Sequence, residues 1–401
     1  MKIGLVKETK VPVDNRVALS PGQVAALNSR YPQHQIVVQS SPIRCFSDSE
    51  YVQAGVPVVD CVDDCDVLFG IKEARIESLI GGRHYFFFGH VAKKQAYNRD
   101  LLCAMMERGI TFSDYEYLTD ERHQRVCAFG WWAGVVGVYY TLRGWGLRTG
   151  AFELPKPDRK FDLEQLKHHL CSVALPAVKM LVTGAGRVSQ GAQYILGEIG
   201  ARKLDAEQYL SAGSVDSLCY AVADVDELVK GDGPFDFADF MARPQRYQSN
   251  FRRWAVSTDV LLCGHFWNPE APVYLDEQLL QDPSLRIRMV GDVTCDIMGS
   301  IRSTVRSSTH DDPYYNYDRR RHCEAAAFSD DDNITVMAVD TCPNALAVDT
   351  SAYFGEMLEQ HVFVPLLEGR HSDVVDRSTI LRSGRLTEGF TYLEDWAAGK
   401  E

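Results

Sequence analysis

The sequence predicts an α/β protein with two Rossmann-like domains, each built on a parallel sheet, and three observations lead to this fold class. The chain has 401 residues, which is too long for one ordinary hydrophobic core. Its first 130 residues alternate short apolar strands with helical patterns, as in parallel sheets covered by helices. A glycine turn near residue 184 follows another apolar strand and leads into a helical pattern, which is typical of a nucleotide-binding βα unit.

The first domain is predicted from a regular succession of elements. Its predicted strands are 3–6, 35–38, 67–71, 85–88 and 110–112, and its predicted helices lie near 20–27, 48–54 and 98–108. Ligands of such sheets bind beyond the carboxyl ends of the strands. We therefore expect the polar residues that directly follow these strands to carry function.

Charged and titratable residues do follow several of these strands. They are Lys72 and Glu73, His90 and Lys93, Asp114 and Glu116, together with Arg16 in the first connection. Taken singly, each residue is an ordinary surface charge or helix cap. Taken as a set at one edge of a sheet, they predict a binding site for a carboxylate-bearing small-molecule substrate.

Residues 126–142 are apolar nearly throughout and contain Gly130, Gly134 and Gly137. The stretch is too short and too aromatic for a membrane span, so it predicts a buried helix whose glycine face permits close packing. We expect this helix to connect the domains.

The first domain is placed at 1–130 plus about 368–401, and the nucleotide-binding domain at 131–367. Residues 308–333, rich in Asp, Arg and Tyr, are expected to form a polar excursion.

The second domain is organised around the turn at Gly184 and Gly186. Two glycines allow a tight turn and a close approach to a pyrophosphate, while the next helix offers free N–H groups. The expected contacts are Gly184, Gly186, Arg187, Val188 and Gly191. The pattern is imperfect, because Ser189 stands where a third glycine is usual. A strand-to-helix turn without a ligand is the alternative interpretation.

An acid at the end of the next strand would bind the adenosine ribose and disfavour a 2′-phosphate. Asp205 follows at the usual spacing of about twenty residues, but its neighbours predict a helix cap. Asp224 ends the better strand, 218–224, and is preferred. The expected cofactor is therefore NAD rather than NADP.

Composition disfavours several classes of function. A net charge of −13 disfavours nucleic acid and anionic membranes as partners. The eleven cysteines include no C-x-x-C pair, so neither a disulfide framework nor a metal site is expected. The amino terminus begins as a strand rather than a secretion signal, and no stretch is apolar enough to span a bilayer. We expect a cytoplasmic protein, either a monomer or a small homo-oligomer.

Several short segments resemble the alanine dehydrogenase and transhydrogenase superfamily. They are Lys7-Glu-Thr-Lys10, Asn15-Arg-Val-Ala-Leu-Ser-Pro21, Gly70-Ile-Lys-Glu73, Phe88-Gly-His90 and the glycine turn. Residues 114–118 followed by 125–134 are similar to the lysine-forming saccharopine dehydrogenases, and residues 291–301 to the related lysine–ketoglutarate reductase domain. The resemblance spans nearly the whole chain. It implies a two-domain fold with the active site and NAD in the interdomain cleft, and reversible oxidation of saccharopine to lysine and 2-oxoglutarate.

The resemblance also implies roles for individual residues. Lys72 and His90 match the family's acid–base pair. Lys93 and Asp340 match a charged pair beside it, and Glu116 matches an acid that tunes the cluster.

Arg16 and Arg125 match the residues that hold the carboxylates of the oxo-acid.

The chemistry of C–N oxidation agrees with the acid–base roles of Lys72 and His90. Hydride leaves the carbon only when the attached amine is neutral, so a base must first take its proton, and the imine then needs an activated water. A histidine, and a lysine placed among other cations, can both titrate near neutrality.

The chain departs from the saccharopine enzymes after Asp340. The family has an Asp-His pair and then a Leu-Pro-Arg-Glu run, whereas this chain has Asp340-Thr341-Cys-Pro343 and Leu346-Ala-Val-Asp349. Since the histidine and arginine are absent, the amino partner is left open and an opine-type dehydrogenase with another amino acid is an alternative. Alanine dehydrogenase-like activity and a non-catalytic NAD-binding regulator are the other hypotheses.

Overall fold

The computed structural model describes residues 1–400 and divides the chain into two compact units. The first unit comprises Met1–Phe129 and Leu346–Glu401, and the second comprises Gly130–Ala345. None of the helices within residues 1–400 combines the length and the apolarity needed to cross a lipid bilayer. All eleven cysteines are free thiols.

The first unit is built on a single sheet of eight strands. Its strands are β1 (Lys2–Leu5), β2 (Gln35–Gln39), β3 (Val58–Val59), β4 (Val67–Phe69), β5 (His84–Phe87), β6 (Thr111–Asp114), β17 (Thr379–Arg382) and β18 (Arg385–Leu386). Its α-helices are α1 (Pro21–Arg30), α2 (Asp48–Gln53), α3 (Arg99–Glu107), α12 (Ala347–Leu358), α13 (Val364–Leu367), α14 (Asp373–Ser378) and α15 (Glu394–Ala397). Short 3₁₀ turns include Val91–Lys93, Tyr115–Tyr117 and Glu388–Leu393.

The strand order in this sheet is β18-β17-β6-β5-β4-β1-β2-β3. Strands β1 to β6 are parallel, so their carboxyl ends meet at one edge, and β17 adds to β6 in the antiparallel sense. Apolar side chains of the strands pack in two hydrophobic clusters, one on each face of the sheet. The predicted parallel sheet with helices on both faces is therefore confirmed for this unit.

The second boundary between the units differs from the sequence prediction of about 368. Helix α12 begins at Ala347 and already belongs to the first unit. The reason is apolar packing, because Phe354 and Leu358 of α12 lie in the same buried cluster as Leu19 and Phe69.

The second unit contains the remaining ten strands. They are β7 (Lys179–Thr183), β8 (Arg202–Lys203), β9 (Cys219–Ala223), β10 (Val229–Lys230), β11 (Gln248–Ser249), β12 (Val260–Cys263), β13 (Met289–Asp292), β14 (Tyr314–Asp318), β15 (Cys323–Ala325) and β16 (Ile334–Met337). Its α-helices are α4 (Gly130–Thr149), α5 (Leu163–Ser172), α6 (Arg187–Glu198), α7 (Ala206–Ser211), α8 (Val225–Leu228), α9 (Phe237–Ala242), α10 (Arg252–Ala255) and α11 (Glu277–Gln281).

Its main sheet has the order β15-β14-β16-β13-β12-β7-β9-β8, and the strands from β16 to β8 are parallel. The polar excursion expected over 308–333 is instead partly regular. Tyr314–Asp318 and Cys323–Ala325 form an antiparallel hairpin that extends the sheet beside β16. Tyr314, Tyr315 and Tyr317 are buried, so the aromatic residues outweigh the charged ones that flank them.

The glycines of α4 allow close packing, as the sequence predicted, and the structure shows that the partner is α6. A Cβ atom on Gly134 would overlap the carbonyl oxygen of Val188, and one on Gly191 would overlap the carbonyl oxygen of Trp131. The two helices therefore touch backbone to backbone. Gly191, expected to contact the cofactor, is thus required for helix packing within the second unit.

We predict that Gly134→Ala destabilises the second unit by at least about 2 kcal/mol, because the added methyl group has no space. The matched control is Gly197→Ala on α6, where a Cβ meets nothing within 4 Å. Alanine at that exposed helical position should stabilise by about 0.5–1 kcal/mol. Urea denaturation of both variants checks this, and equal stabilities would contradict the packing account.

Candidate active site

A buried carboxylate lies at the centre of a group of cations at the carboxyl edge of the first sheet. Glu116 lies in the 3₁₀ turn that follows β6 and is only 5% exposed. Its Oε2 lies 3.3 Å from Nδ1 of His90, and its Oε1 lies 2.8 Å from Nζ of Lys93. Arg125 donates from Nη2 to the same Oε1. Four of the residues singled out from the sequence therefore meet in one cluster.

Electrostatics explain why this carboxylate remains ionised. Burial alone would raise the pKa of Glu116, but the hydrogen bond from His90 and the charges of Arg125 and Lys93 outweigh burial and hold the pKa well below its usual range. An ionised carboxylate can only accept hydrogen bonds, so Nδ1 of His90 must carry a proton. Nε2 is then the nitrogen that can accept a proton when the ring is neutral.

Asp114, the last residue of β6, fixes the backbone beneath His90. Its Oδ2 accepts hydrogen bonds from the backbone N–H groups of Gly89 and His90 at 3.1 and 3.0 Å, and its Oδ1 accepts from that of Glu116 at 2.9 Å. His90 has left-handed backbone angles, with φ 52°. Burial raises the pKa of Asp114 to about 6. The sequence placed this acid at a strand end without indicating its positioning role.

Lys72 follows β4 and is held by a second carboxylate that sequence reasoning did not single out. Glu8 accepts from the backbone N–H of Ile71 at 2.6 Å and from that of Lys72 at 3.0 Å. Burial, reinforced by the charge of Asp14, raises the pKa of Glu8 to about 8. Its signals in the sequence were its place shortly after β1, at the same edge as the other strand-end residues, and its position within the Lys7-Glu-Thr-Lys10 segment.

Arg16 differs from the open carboxylate clamp that we expected. It is 4% exposed, and its Nε and Nη2 donate to both oxygens of Asp14 at 2.9 and 2.6 Å. Its guanidinium also lies over the ring of Phe129, 4.3 Å from the centroid. The structure thus gives Arg16 an internal partner two residues away, and a direct contact with substrate stays a prediction.

Arg125 is more accessible, with 45% of its side chain exposed. It lines a cleft of about 900 Å³ within the first unit, together with Lys93 and Glu116. Arg377 and Arg382 from the chain after α13 line the same cleft, with Asp376 and Glu388 as acids. The cluster therefore opens onto a space large enough for an extended polar molecule.

In the second unit the glycine turn has the conformation that the sequence predicted. Strand β7 ends at Thr183, Gly184 has φ 85°, and Gly186 is the N-cap of α6. A Cβ on Gly184 would lie 2.7 Å from Cα of His265, whereas one on Gly186 would meet nothing within 4 Å. The turn thus leaves open space at an exposed helix N-terminus, which is where a pyrophosphate would bind.

Two residues behind the turn have packing roles. Val188 packs against Gly264. A Cβ atom added to Gly264 would lie 2.7 Å from Cγ1 of Val188, so only glycine leaves room for this contact. His265, which sequence reasoning missed, is buried and bonds Thr183 at 2.6 Å through Nδ1 and Ser300 at 2.7 Å through Nε2. Burial lowers the pKa of His265 to about 3, so it is neutral near pH 7. Its only signal was a position directly after a strand.

The geometry favours Asp224 over Asp205 as the acid beside the turn. Ala223 pairs in register with Thr183, and its carbonyl accepts from the N–H of Gly184 at 2.8 Å. The exposed Asp224 therefore follows the strand next to β7. Asp205 is the N-cap of α7 and accepts from the N–H of Gln208 at 2.8 Å.

Within the first unit Lys93 makes an ion pair with Glu116, and the charged pair of Lys93 with Asp340 stays a prediction. Asp340 belongs to the second unit and is exposed three residues after β16 ends. Its catalytic role stays a prediction. Within residues 1–400, no group of three or more His, Cys, Asp or Glu side chains is arranged to hold a metal ion.

Comparisons with known proteins agree with this architecture. The family model described as alanine dehydrogenase/PNT, N-terminal domain, matches residues 4–136. The mitochondrial alpha-aminoadipic semialdehyde synthase of Rattus norvegicus is 26% identical over 97% of this chain and 47% of its own length. The saccharopine dehydrogenase [NAD(+), L-lysine-forming] of Emericella nidulans is 25% identical over 89% of this chain and 90% of its own.

Among solved structures, an L-alanine dehydrogenase covers 99% of this chain and is itself covered completely, with a TM-score of 0.67 and 19% identity. The chain spans about half the length of the synthases that it matches first. The two sheets with their glycine turn define a Rossmann-type dehydrogenase fold. The first third of the chain matches the N-terminal domain of alanine dehydrogenase/PNT, and nearly the whole chain is similar to alpha-aminoadipic semialdehyde synthases and lysine-forming saccharopine dehydrogenases.

We predict a pH dependence of stability from the raised pKa of Glu8. The unfolded chain loses this proton near pH 4.5, whereas the folded chain keeps it up to about pH 8. The contribution of Glu8 to stability is therefore complete below about pH 4.5 and is lost as the pH rises through about 8, with a slope of at most about 1.4 kcal/mol per pH unit. Glu8→Gln should gain stability relative to wild type between pH 5.5 and 8.5.

Urea denaturation at several pH values measures this difference. The control is Glu77→Gln, since Glu77 is exposed on a nearby turn and should show no such trend. A constant difference between wild type and Glu8→Gln would contradict the assignment.

Proposed function

We propose that the chain is a NAD-dependent oxidoreductase acting on CH–NH donors, which converts a saccharopine-like secondary amine into an amino acid and 2-oxoglutarate. The observation that carries this proposal is the Glu116 cluster, with its histidine and two cations, beside the cleft of about 900 Å³. The names of the relatives support it, since the Emericella protein is named for NAD and for lysine formation.

The residues of the cluster supply the proton transfers. His90, held through Nδ1 by Glu116, takes the proton of the secondary amine on Nε2, which leaves the nitrogen lone pair free. NAD, when bound, accepts the hydride that leaves the substrate carbon. Lys72 then removes a proton from the water that attacks the imine carbon, and His90 returns the proton that it took to the departing amine. The products are the free amino acid and the oxo-acid.

The cleft supports an extended substrate with more than one carboxylate. Arg125, which lines the cleft, can bind one carboxylate of the oxo-acid portion in the bidentate manner of guanidinium groups. Arg377 and Arg382 also line the cleft, and Glu388 offers an acid for an ammonium group. A substrate as small as alanine would leave most of these groups unused, which disfavours alanine dehydrogenase-like activity.

The second unit would hold the cofactor at the glycine turn. Gly184 and Gly186 leave space for the pyrophosphate at the N-terminus of α6, and Arg187 is exposed beside it. Asp224 would accept the ribose hydroxyl groups. The cytoplasmic location, the direction of the reaction and the assembly state stay predictions, and the rat relative is described as mitochondrial.

The direct test follows NADH absorbance in the purified chain with two substrate pairs. Lysine plus 2-oxoglutarate should oxidise NADH, whereas pyruvate plus ammonia should not. His90→Ala should lose the activity, and the matched control His371→Ala, an exposed histidine of the same unit, should keep it. Turnover with pyruvate and ammonia alone would favour the alanine dehydrogenase alternative.

We predict that Asp224→Asn relaxes the preference for NAD over NADP by roughly tenfold or more. A carboxylate accepts two ribose hydrogen bonds and repels a 2′-phosphate, and the amide does neither as well. The ratio of kcat/KM values for NADH and NADPH measures this preference. Asp205→Asn, which removes only a helix-capping carboxylate, is the control, and an equal change in both variants would contradict the assignment.

A further inference from the structure

A second polar pocket lies at the amino edge of the main sheet in the second unit. Its volume is about 680 Å³, and nine of its ten lining residues are polar. Arg288 precedes β13 and Asn333 precedes β16. The run Arg319 to Arg321 follows β14, which is antiparallel to β16 and therefore ends at the same edge.

Two arginines of this pocket lack a carboxylate partner within the described residues 1–400. Arg288 donates from Nη1 to the carbonyl oxygens of Leu285 and Ile287, both at 3.0 Å. Arg319 donates from Nε to the carbonyl of Leu280 at 2.6 Å and from Nη2 to that of Asp282 at 2.9 Å. Carbonyl groups satisfy some of the N–H donors, but they do not neutralise a full positive charge.

The uncompensated charges also lie close to each other. Partial burial lowers the pKa of Arg319, and the charge of Arg288 lowers it further, against raising effects of Asp332 and Asp282. Arg148 is affected in the same way, first by burial and also by Arg288, against a raising effect of Asp331. The positive charge of Arg288 therefore acts unfavourably on both Arg319 and Arg148, and a bound anion would offset that effect.

Three of the acids in or near the pocket already have partners. Asp318 accepts from the backbone N–H groups of Arg320 and Arg321, both at 2.9 Å. Asp332 pairs with Arg320 at 2.8 Å, and the carboxylate of Asp282 pairs with Arg252. Four arginines and three aspartates line the pocket, an excess of positive charge in a chain whose net charge is −13.

The pocket is separate from the glycine turn. Gly184 follows the carboxyl end of β7, whereas Arg288 precedes the amino end of the parallel strand β13 in the same sheet. Strands of this length rise roughly 13–17 Å from one edge to the other. A ligand in the pocket therefore cannot touch a nucleotide at the turn.

We propose that this pocket binds a small polyanion through phosphate or paired carboxylate oxygens, at a site distinct from the glycine turn. The size of the space fits a small molecule, and planar guanidinium groups bind both kinds of oxygen pair with two hydrogen bonds. The pocket then serves as an effector site, because its ligand leaves the turn accessible. The assignment does not depend on the reaction proposed above.

Isothermal titration of the full chain at constant ionic strength tests the site, with pyrophosphate and citrate as probes. At least one probe should bind saturably to wild type with one site per chain, and the preferred probe identifies phosphate or carboxylate as the ligand chemistry. Arg288→Gln should weaken that binding at least roughly tenfold, since a charge-assisted pair of hydrogen bonds is lost. Arg320→Gln/Arg321→Gln should weaken it too, and both side chains are more than 80% exposed, so the fold is retained.

The matched control is Arg243→Gln/Arg246→Gln, which removes the same charge from exposed positions of the same unit outside the pocket. It should bind the probe as wild type does. Absence of saturable binding by both probes would overturn the proposal, as would equal weakening in the pocket and control variants. Displacement of the probe by NAD would place it at the glycine turn and would also overturn the proposal.

Discussion

The buried carboxylate of Glu116 is the group on which the candidate active site depends. Removing a carboxylate from water is unfavourable unless cations and hydrogen bonds replace the solvent. Here the replacements come from two separate parts of the first unit, His90 and Lys93 from the turn after β5 and Arg125 from the segment before α4. One ionised oxygen pair therefore fixes the relative positions of the turn after β5, the turn after β6 and the segment that leads to α4.

The sheet makes this convergence possible. Parallel strands deliver their carboxyl ends to one edge, and after β4 and β5 an acidic side chain holds the backbone of a polar residue in place. Asp114 holds the turn at His90, and Glu8 holds the backbone of Lys72. In the second unit His265 serves the glycine turn in a comparable way, as a neutral side chain bonded at both nitrogens. Reactive positions thus lie on strand ends, and buried polar groups fix their geometry.

Much of this could be predicted from the sequence, because strand periodicity, the glycine turn and strand-end charges are local patterns. The strand that precedes Asp224, the glycine packing of α4 and the parallel sheets belong to this group. Pairing between distant segments is not a local pattern. The sequence therefore could not show that Arg16 would form an ion pair with Asp14, or that Lys93 would form one with Glu116. The tyrosine strand β14 was missed because charged residues flank it, and the unit boundary was misplaced because α12 packs by long-range contacts.

The most direct test of this account is the steady-state rate of Glu116→Gln with lysine, 2-oxoglutarate and NADH. The amide cannot neutralise the two neighbouring cations, and it no longer provides a carboxylate to orient the ring of His90, so kcat should fall at least roughly tenfold. The KM for NADH should stay within about twofold, because Glu116 binds His90, Lys93 and Arg125, none of which is proposed to hold the cofactor. Turnover equal to that of wild type would contradict the central role of the Glu116 cluster.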